Sequence, residues 1–549
     1  MCGIHAAISA DAGYHKLSPG LEQRLRNRGP DHLGAVKTQL RQDDANSLYL
    51  TLTSTVLSLR GDHVARQPLV DEDSGSVLCW NGEAWKLGSK PVEGNDGEAI
   101  LSMLIAASSN SLGGRDSVLD ALRSIEGPFA FIFLDKKAKR LYYGRDRLGR
   151  RSLLLKRGEE FLLSSIAEAP AVGWAEVEAD GCYTIQLSEA NSPKDLMPVR
   201  HDWDQTEALV SSIGVFNASI PTSATTALSS QSLSVEQLRD HLTESLKLRV
   251  LHVPVPPKAG PLDARAAVLF SGGLDCTVLA RIASDVIPPG QAIDLINVAF
   301  ENPRIAAQNR NLSAAELYEL CPDRMTGRKS FAELLAVCPD RPWRFVTVNV
   351  PYEETSAHRA ELIDLIYPHN TEMDLSIACA LYFAARGKGM GQLASDSEAE
   401  PYDTTARVLL SGLGADELFG GYVRHATAYT RSGYAGLIDE LKLDVSRLGK
   451  RNLGRDDRVM SHWSREVRFP FLDESLVKWA IELPAWKKCD FDNQGPDCDY
   501  DPEKRVLRLL ADRLGMRSVA AEKKRAIQFG ARTAKMESGK VKGTTLLLP

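Results

Sequence analysis

The N-terminal residues can supply a nucleophile. The chain begins Met1-Cys2-Gly3, and a small second residue favours removal of the initiator methionine. Cys2 would then carry both a thiol and a free α-amine. Because an α-amine has a pKa near ~7.7–8.0, it can take the thiol proton at neutral pH. A cysteine at this position also occurs without any such role, so other residues must decide between the two interpretations.

A second stretch suited to chemistry is the glycine-rich turn 270–277, which reads FSGGLDCT and follows an apolar run. Two glycines allow backbone N–H groups to approach a phosphate, and the helix expected after them adds positive potential. Ser271 and Thr277 can add hydroxyl donors, and Asp275 can hold Mg²⁺ against pyrophosphate. The turn lacks the Gly-Lys-Ser/Thr ending of a Walker A loop. The alternative interpretation is an ordinary strand–helix turn.

Two different patterns of secondary structure position these residues. The first part alternates short apolar strands with helical segments, which predicts a layered α+β architecture. The second part alternates strands and helices, which predicts an α/β fold with a parallel, doubly wound sheet and helices on both faces. The predicted strands are 48–57, 77–80, 128–134, 153–155, 266–270, 294–300, 345–350 and 408–410, and the predicted helices are 98–108, 117–125, 235–247 and 375–386.

The domain boundaries follow from a change in composition. Residues 204–232 are rich in Ser, Thr and Ala and are interpreted as a linker or exposed loop. We therefore expect one domain over 2–203, this linker, and a second domain over 233–549. A chain of 549 residues is long enough for two or three domains.

Composition restricts the class of protein. An apolar fraction of 43% and a charged fraction of 25% are typical of a soluble globular protein, and a net charge of −6 does not indicate a nucleic-acid partner. The nine cysteines are irregularly spaced without a C-x-x-C pair, which favours a reducing compartment. We see neither a secretory leader nor an apolar run of the ~18–20 residues that a membrane span needs. The expected location is the cytoplasm.

Around Cys2 the sequence resembles the N-terminal-nucleophile (class II) glutaminases of the asparagine synthetase family. The resemblance rests on MCGI, RGPD, QP, WNGE and the Asp96 segment, in that order. It implies that Cys2 attacks the glutamine side-chain amide and that Asn81 and the Gly82 N–H hold the oxyanion. Glu83 and Asp96 would hold the glutamine α-amine. Taken without its neighbours, Asn81-Gly82 would suggest a hairpin turn.

One residue departs from the glutaminase pattern. The family has an arginine eleven residues before the Gln-Pro, where it binds the glutamine α-carboxylate, and this chain has Val56 there. The nearest arginine on the same stretch is Arg60. Arg60 could bind the carboxylate from the next turn, or it could be a structural ion-pair residue, and the sequence leaves both open.

The turn 270–277 resembles the SGGxD signature of ATP-pyrophosphatases, which cleave ATP between the α and β phosphates. Further matches to the asparagine synthetase family follow in order at 297–300, 411–422 (SGLGADELFGGY), 468–473 and 503–505. The resemblance implies an ATP site formed by Phe270, Ser271, Gly272, Gly273, Leu274, Asp275, Thr277, Val298, Ser411, Gly412, Tyr422 and Lys504. It also implies that Asp275 and Asp416 are the Mg²⁺ ligands. Without this context, Lys504 would be interpreted as a solvated helix lysine.

A second departure lies in the acceptor site. The family motif has a glutamate as its third residue, and here that residue is Leu413, which can neither relay a proton nor hold an ammonium-like nucleophile. The segments 370–389, 411–417 and 523–532 look like the divergent branch called asparagine synthetase domain-containing protein.

The leading hypothesis is a glutamine-hydrolysing, asparagine synthase-like ligase. Glutamine hydrolysis would feed ammonia to an acyl-adenylate formed from aspartate and ATP, with Mg²⁺ as a cofactor. A non-catalytic interaction or regulatory protein and an adenylating ligase with a different acceptor are the alternatives. The expected partners are glutamine and aspartate or another carboxylate, neither nucleic acid nor membrane is expected, and a homodimer is left open. The tail after Glu537 has no interpretation.

Overall fold

The structure, a computed structural model, describes residues 2–10, 13–41, 47–109, 116–203, 213–495, 498–537 and 542–547. The first nine residues of the predicted linker, 204–212, lie outside the described residues. Of the C-terminal tail only 542–547 are described. There the Glu372 N–H donates to Thr545 O at 2.9 Å and the Leu547 N–H donates to Asn370 O at 2.7 Å, so the tail is bonded to the start of a helix.

The chain forms two compact units. The first unit comprises Met1–Ser212, Ile363–His369 and Leu448–Glu466, and the second comprises Ile213–Leu362, Asn370–Arg447 and Val467–Pro549. Two stretches from the second half of the sequence therefore fold with the N-terminal part. The Ser/Thr-rich composition change at 204–232 gives no sign of this exchange.

The secondary-structure elements are numbered in chain order over the described residues. The strands are β1 Gly3–Ala10, β2 His32–Arg41, β3 Leu48–Val56, β4 Leu69–Val70, β5 Val77–Gly82, β6 Lys86–Leu87, β7 Lys90–Pro91, β8 Ile125–Glu126, β9 Phe129–Asp135, β10 Arg140–Arg145, β11 Leu154–Arg157, β12 Phe161–Ser164, β13 Ala175–Glu176, β14 Gly181–Gln186, β15 Val199–Asp202, β16 Ala266–Leu269, β17 Ile293–Phe300, β18 Trp343–Val350, β19 Lys388–Gln392, β20 Glu400–Asp403, β21 Val408–Leu410 and β22 Glu466–Arg468. The helices are α1 Pro19–Arg28, α2 Asp96–Ser109, α3 Ser117–Arg123, α4 Leu233–Val250, α5 Leu274–Val286, α6 Pro303–Gln308, α7 Ala314–Glu319, α8 Pro322–Val337, α9 Tyr352–Ala357, α10 Arg359–Ile366, α11 Glu372–Arg386, α12 Ala415–Phe419, α13 Val423–Ser446, α14 Leu448–Arg451, α15 Leu453–Ser461, α16 Glu474–Glu482, α17 Arg505–Arg513, α18 Arg517–Ala520 and α19 Ile527–Gly530.

The first unit is a layered α+β structure built on two six-stranded sheets. Their strand orders are β13-β11-β12-β1-β3-β2 and β15-β14-β10-β9-β5-β4. Side chains alternate between the two faces of a strand, and β9 shows the consequence. Its even-numbered residues from Ala130 to Leu134 pack in the core between the sheets, whereas the odd-numbered residues from Phe129 to Phe133 pack against helices α2 and α3. This confirms the predicted α+β architecture.

The second unit is an α/β structure around a seven-stranded sheet of order β20-β19-β18-β17-β16-β21-β22. Strands β18, β17, β16 and β21 pair in parallel, as predicted. Strands β19 and β20 add an antiparallel edge that was not predicted. Their sequences, KGMGQ and EPYD, contain few β-branched or large apolar residues, so propensity gives no strand signal.

No helix among the described residues has the length and apolar character needed to cross a membrane.

Candidate functional site

The structure places Cys2 just before β1, in contact with two side chains of the first unit. The Gln67 side-chain amide donates to Cys2 Sγ at 3.7 Å, and the Arg28 Nε–H donates to the Cys2 carbonyl oxygen at 3.2 Å. The side-chain oxygen Oε1 of Gln67 accepts from the Trp80 N–H at 2.8 Å, which ties this side chain to β5. Cys2 is only 7% exposed, and burial raises the pKa of its thiol. A base is therefore required to form the thiolate at neutral pH.

Asn81 and Gly82 lie at the end of β5 and are not in a hairpin turn. They pair with Ala130 and Phe129 of β9. Asn81 is fully buried, and within the described part of the chain neither atom of its side-chain amide has a hydrogen-bond partner. Buried polar groups are normally satisfied, so this amide is suited to receive a ligand atom. A side chain at Gly82 is excluded, because a Cβ there would lie 2.4 Å from Pro128 O.

Asp96 begins α2 and holds the segment that follows β5. Its Oδ2 accepts from the Trp80 indole N–H and from the Ala84 N–H, each at 2.9 Å. Burial raises the pKa of this carboxyl group, against the opposing effect of Arg60. Asp96 thus binds the backbone of Ala84, the residue that follows Glu83.

Arg60 is buried and binds the segment 83–95, which connects β5 to α2 and is called the 83–95 loop here. Its guanidinium donates to Ala84 O at 3.0 Å, to Gly94 O at 3.1 Å and to Val92 O. It also lies 3.6 Å from Glu83 Oε2. Three of its five N–H groups therefore bind backbone carbonyl oxygens of this loop, so the arginine holds the loop in place.

Two residues from far along the chain, Asp457 and Ser461, bind the arginine that contacts Cys2, and sequence reasoning missed both. Arg28 donates to Asp457 Oδ2 at 2.8 Å and to Ser461 Oγ at 2.6 Å, with all three side chains buried. The Ser152 N–H also donates to Asp457 Oδ2, at 3.2 Å. Arg28 could be found from its place in the RGPD segment. Asp457 gives no comparable signal, because its partner is 429 residues away.

In the second unit, the glycine-rich turn connects β16 to α5. Phe270 O accepts from the Asn297 side-chain amide at 2.9 Å, and Gly272 O accepts from Ser330 Oγ at 2.6 Å. These contacts engage carbonyl oxygens of the turn, and the first N–H groups of α5 remain as donors for an anion. Asn297 and Ser330 are thus positioning residues, and Ser330 had no signal in the sequence.

The turn itself requires glycine at one position. Gly272 has a φ of +79°, and a Cβ there would lie 2.4 Å from Gly327 N. The Gly273 N–H approaches Ser271 Oγ at 3.3 Å. Thr277 is fully buried in α5, so its hydroxyl packs inside the unit. Phe270 and Leu274 are buried as well.

Two lysines and two carboxylates meet beside this turn. Lys504 Nζ lies 2.8 and 2.7 Å from the two oxygens of Asp275 and 2.5 Å from Asp416 Oδ1. Lys524 Nζ contacts Asp416 Oδ2. Burial alone would raise the pKa of Asp416, but Lys504 and Lys524 hold it below its usual range. A Cβ on Gly421 would lie 2.0 Å from both Asp416 Oδ1 and Lys504 Cε, so only glycine fits there.

Asp275 and Asp416 are placed to share a cation, since one lysine ammonium contacts both. Mg²⁺ prefers oxygen ligands and usually takes one or two carboxylates together with water and phosphate oxygens. No cluster of three His, Cys, Asp or Glu side chains suited to a metal occurs among the described residues. The two carboxylates therefore fit a Mg²⁺ ion that arrives with phosphate ligands.

Three more residues that were predicted to bind nucleotide lie in the second unit, namely Ser411, Gly412 and Tyr422. Gly412 is beside the site, because a Cβ there would lie 2.9 Å from Asp275 Cβ. Ser411 Oγ accepts from the Leu413 N–H at 3.3 Å. The Tyr422 hydroxyl donates to Glu417 Oε1 at 2.6 Å.

The strand register shows where Val298, another residue predicted at the ATP site, lies in the sheet. Leu269 pairs with Ile296 in parallel. Val298 of β17 and Ser271 each follow a member of this pair by two residues, and so both lie at the carboxyl edge of the sheet. Ligands bind at this edge in open α/β sheets.

Comparison with known proteins assigns different family models to the N-terminal and C-terminal parts of the sequence. The family model "Glutamine amidotransferase domain" matches residues 1–183, and the family model "Asparagine synthase" matches residues 402–443 and 432–544. Fold, site and models together define a chain with a glutamine amidotransferase domain and an asparagine synthase domain.

A relative from Bos taurus, "Asparagine synthetase domain-containing protein 1", is 33% identical over 99% of this chain and 97% of its own length. The chain belongs to this asparagine synthetase domain-containing family. A "Putative asparagine synthetase [glutamine-hydrolyzing] 1" from Methanocaldococcus jannaschii is 26% identical over 98% of this chain and 94% of its own length. A solved glutamine phosphoribosylpyrophosphate amidotransferase from B. subtilis matches at 16% identity, over 48% of this chain and 60% of that one, with a TM-score of 0.26. That likeness is too weak to support an argument.

Proposed function

We propose that the chain is a glutamine-dependent ligase of the asparagine synthase type, in which the first unit releases ammonia and the second uses ATP to activate a carboxylate. The observation that carries the proposal is the cluster of Asp275, Lys504 and Asp416 beside the glycine-rich turn. Structural stability alone does not favour a buried charged cluster of this kind, because its desolvation is expensive. Such a cluster is expected where phosphate and metal must be bound.

In the proposed first reaction, Cys2 attacks the side-chain amide carbon of glutamine. The α-amine of Cys2 takes the thiol proton and passes it to the departing ammonia, leaving a thioester that water hydrolyses to glutamate. The Asn81 amide, which has no partner among the described residues, and the Gly82 N–H receive the oxyanion, and such donors typically contribute ~3–4 kcal/mol each to the transition state. Gln67 positions the sulfur through its 3.7 Å contact.

In the proposed second reaction, an aspartate carboxylate attacks the α-phosphorus of ATP and displaces pyrophosphate. The N–H groups at the start of α5 bind the phosphates, and Lys504 balances the charge of the leaving pyrophosphate. Mg²⁺, held by Asp275 and Asp416, would supply further positive charge to it. Ammonia then attacks the acyl-adenylate and yields an amide and AMP.

Leu413 favours a second candidate function, an adenylating ligase with a different acceptor. Its side chain is partly exposed between Gly412 and Gly414, where the family has a glutamate. An apolar side chain is suited to a more apolar carboxylate or nucleophile than aspartate and ammonia. AMP formation measured across a panel of carboxylates separates this candidate from asparagine synthesis.

Val56 favours the third alternative, a regulatory protein without catalysis. It is buried in β3 and cannot bind a carboxylate, and the donors of Arg60 are largely engaged by backbone. Full rescue of a deletion phenotype by a Cys2→Ala variant would support the regulatory alternative. Loss of rescue supports catalysis.

The direct test of the proposed function is pyrophosphate release from ATP, Mg²⁺, aspartate and ammonia by the wild-type protein and by the Asp275→Asn variant. We expect release by the wild type and a large loss in the variant. Absence of release by the wild type, with aspartate and with every other carboxylate tried, contradicts the proposal.

A further inference from the structure

All four carboxylate oxygens of Asp275 and Asp416 are in contact with a lysine ammonium. Lys504 contacts both oxygens of Asp275 and Oδ1 of Asp416, and Lys524 contacts Oδ2 of Asp416. The contact between Lys504 and Asp416 Oδ1 does not have hydrogen-bond geometry, although the atoms are 2.5 Å apart. With two negative and two positive groups, the cluster is formally neutral.

We propose that Lys504 and Lys524 form an ionic lock that keeps a divalent cation out of this site until nucleotide phosphates draw the ammonium groups away. Cation and nucleotide would then enter together. The inference rests on the proposed function for the assignment of Asp275 and Asp416 to Mg²⁺, and it adds Lys524, which had no assigned role.

The charge balance explains the order of binding. A divalent cation entering alone would face two ammonium groups and leave an excess of two positive charges, which is unfavourable in a partly buried site. A nucleotide with a bound cation brings phosphate oxygens that accept the displaced ammonium groups. The carboxylate oxygens are then free to bind the cation.

The two lysines are held differently. The Lys504 side chain is 4% exposed, and the residue lies at the N-terminal end of α17 with a φ of +52°. The Lys524 side chain is 34% exposed, in a stretch without helix or strand before α19, and its Nζ lies 5.5 Å from the centre of the Tyr422 ring. The Lys524 side chain can therefore move away from the carboxylates with less rearrangement than the Lys504 side chain.

Mn²⁺ binding followed by electron paramagnetic resonance tests the lock without any turnover. We expect the wild-type protein to bind Mn²⁺ weakly without nucleotide, and Lys524→Gln to bind it about tenfold or more tightly. Lys523→Gln is the matched control, since Lys523 is exposed and adjacent, and it should behave like the wild type. Adding Asp416→Asn to Lys524→Gln should abolish the gain, which assigns the bound ion to this site. Thermal melting of each variant verifies folding.

The nucleotide arm uses α,β-methylene-ATP, which cannot be cleaved between its α and β phosphates. It should raise Mn²⁺ binding by the wild type to at least the affinity of Lys524→Gln without nucleotide. Equal Mn²⁺ binding by wild type and Lys524→Gln without nucleotide overturns the lock. A gain in Lys524→Gln without any nucleotide effect overturns the coupling to nucleotide and also counts against the ATP site. A protein that binds the analogue but releases no pyrophosphate contradicts only the proposed function.

Discussion

Arg28 and Asp457 form an ion pair of 2.8 Å in the first unit, with both side chains buried and 429 residues between them. Arg28 also donates to the carbonyl oxygen of Cys2. The helix that carries Asp457, α15, belongs to the segment Leu448–Glu466 of the first unit. Cys2, the proposed nucleophile, is thus supported by a segment encoded far from the N-terminus.

Replacing Asp457 by Ala should destabilise the protein strongly. The substitution leaves the buried Arg28 without its carboxylate, and breaking one partner of a buried pair costs about 3–5 kcal/mol. The free energy of unfolding, measured by urea denaturation, should fall by about this amount. Glu22→Ala is the control, because the Arg26–Glu22 pair is exposed and such pairs contribute about 0–1 kcal/mol. Equal effects of the two substitutions would show that the buried pair is not structural.

Replacing both partners of the pair should be less harmful than replacing one. A double variant with Arg28→Met and Asp457→Leu removes both charges, and apolar residues of similar size can substitute for a buried pair at little cost. Its unfolding free energy should exceed that of Asp457→Ala. Glutaminase activity should nevertheless fall, since Arg28 no longer donates to the Cys2 carbonyl oxygen. Full activity in the double variant would rule out a positioning role for Arg28.

Asn81→Ala should separate activity from stability. The Asn81 side-chain amide has no hydrogen-bond partner among the described residues, so its loss should leave the unfolding free energy nearly unchanged or higher. Loss of one oxyanion donor typically lowers kcat about 10²–10³-fold, measured as glutamate formed from glutamine. Asn297→Ala is the contrasting variant: its amide donates to Phe270 O and Asp323 O, so stability should fall. A large stability loss in Asn81→Ala would contradict the assigned role.

Gly272→Ala should impair the phosphate turn. Its φ of +79° and the 2.4 Å approach of a Cβ to Gly327 N make any side chain unfavourable, and the backbone conformation alone costs about 1–2 kcal/mol. Binding of ATP, measured by calorimetry, should weaken or disappear. In Gly158→Ala the added Cβ meets nothing within 4 Å, and that control should bind as the wild type does. Unchanged ATP binding in Gly272→Ala would argue against the turn as the phosphate site.

Asp323 should make stability depend on pH. Burial raises the pKa of this carboxyl group to about 7, against the opposing effects of Arg525 and Lys524, whereas an unfolded Asp has a pKa near ~3.9. Between these values the folded state retains a proton that the unfolded state has lost. Asp323 therefore lowers stability as pH rises from about 4 to about 7, with no further change above that range.

The Asp323→Asn variant tests this dependence, because it cannot titrate. Thermal midpoints of wild type and variant should diverge as pH rises from about 4 to about 7, with the variant the more stable at pH 8. Parallel midpoint curves over this range would show that Asp323 is ionised in the folded protein.

The sequence predicted what is encoded locally. The strand 408–410 and the glycine-rich turn were placed correctly, because apolar runs and glycine positions act over a few residues. The antiparallel edge β19–β20 gave no signal, since its residues have little strand propensity of their own and are placed by pairing: β19 pairs with β18, and β20 pairs with β19.

Contacts that are distant in sequence were beyond sequence reasoning. The Arg28–Asp457 pair and the contact of Lys524 with Asp416 depend on charges brought together only by the complete fold. The position of Arg60 in the sequence left open whether it binds the glutamine carboxylate or has a structural role. The carbonyl oxygens around its guanidinium favour the structural interpretation.

Pyrophosphate release with glutamine or with ammonia as the nitrogen source, compared in wild type and Cys2→Ala, tests the central claim most directly. The account predicts that the wild type releases pyrophosphate with either source, while Cys2→Ala retains the ammonia-dependent reaction and loses the glutamine-dependent one. Release that is equally glutamine-dependent in both proteins, or that is absent from both with either source, would contradict it.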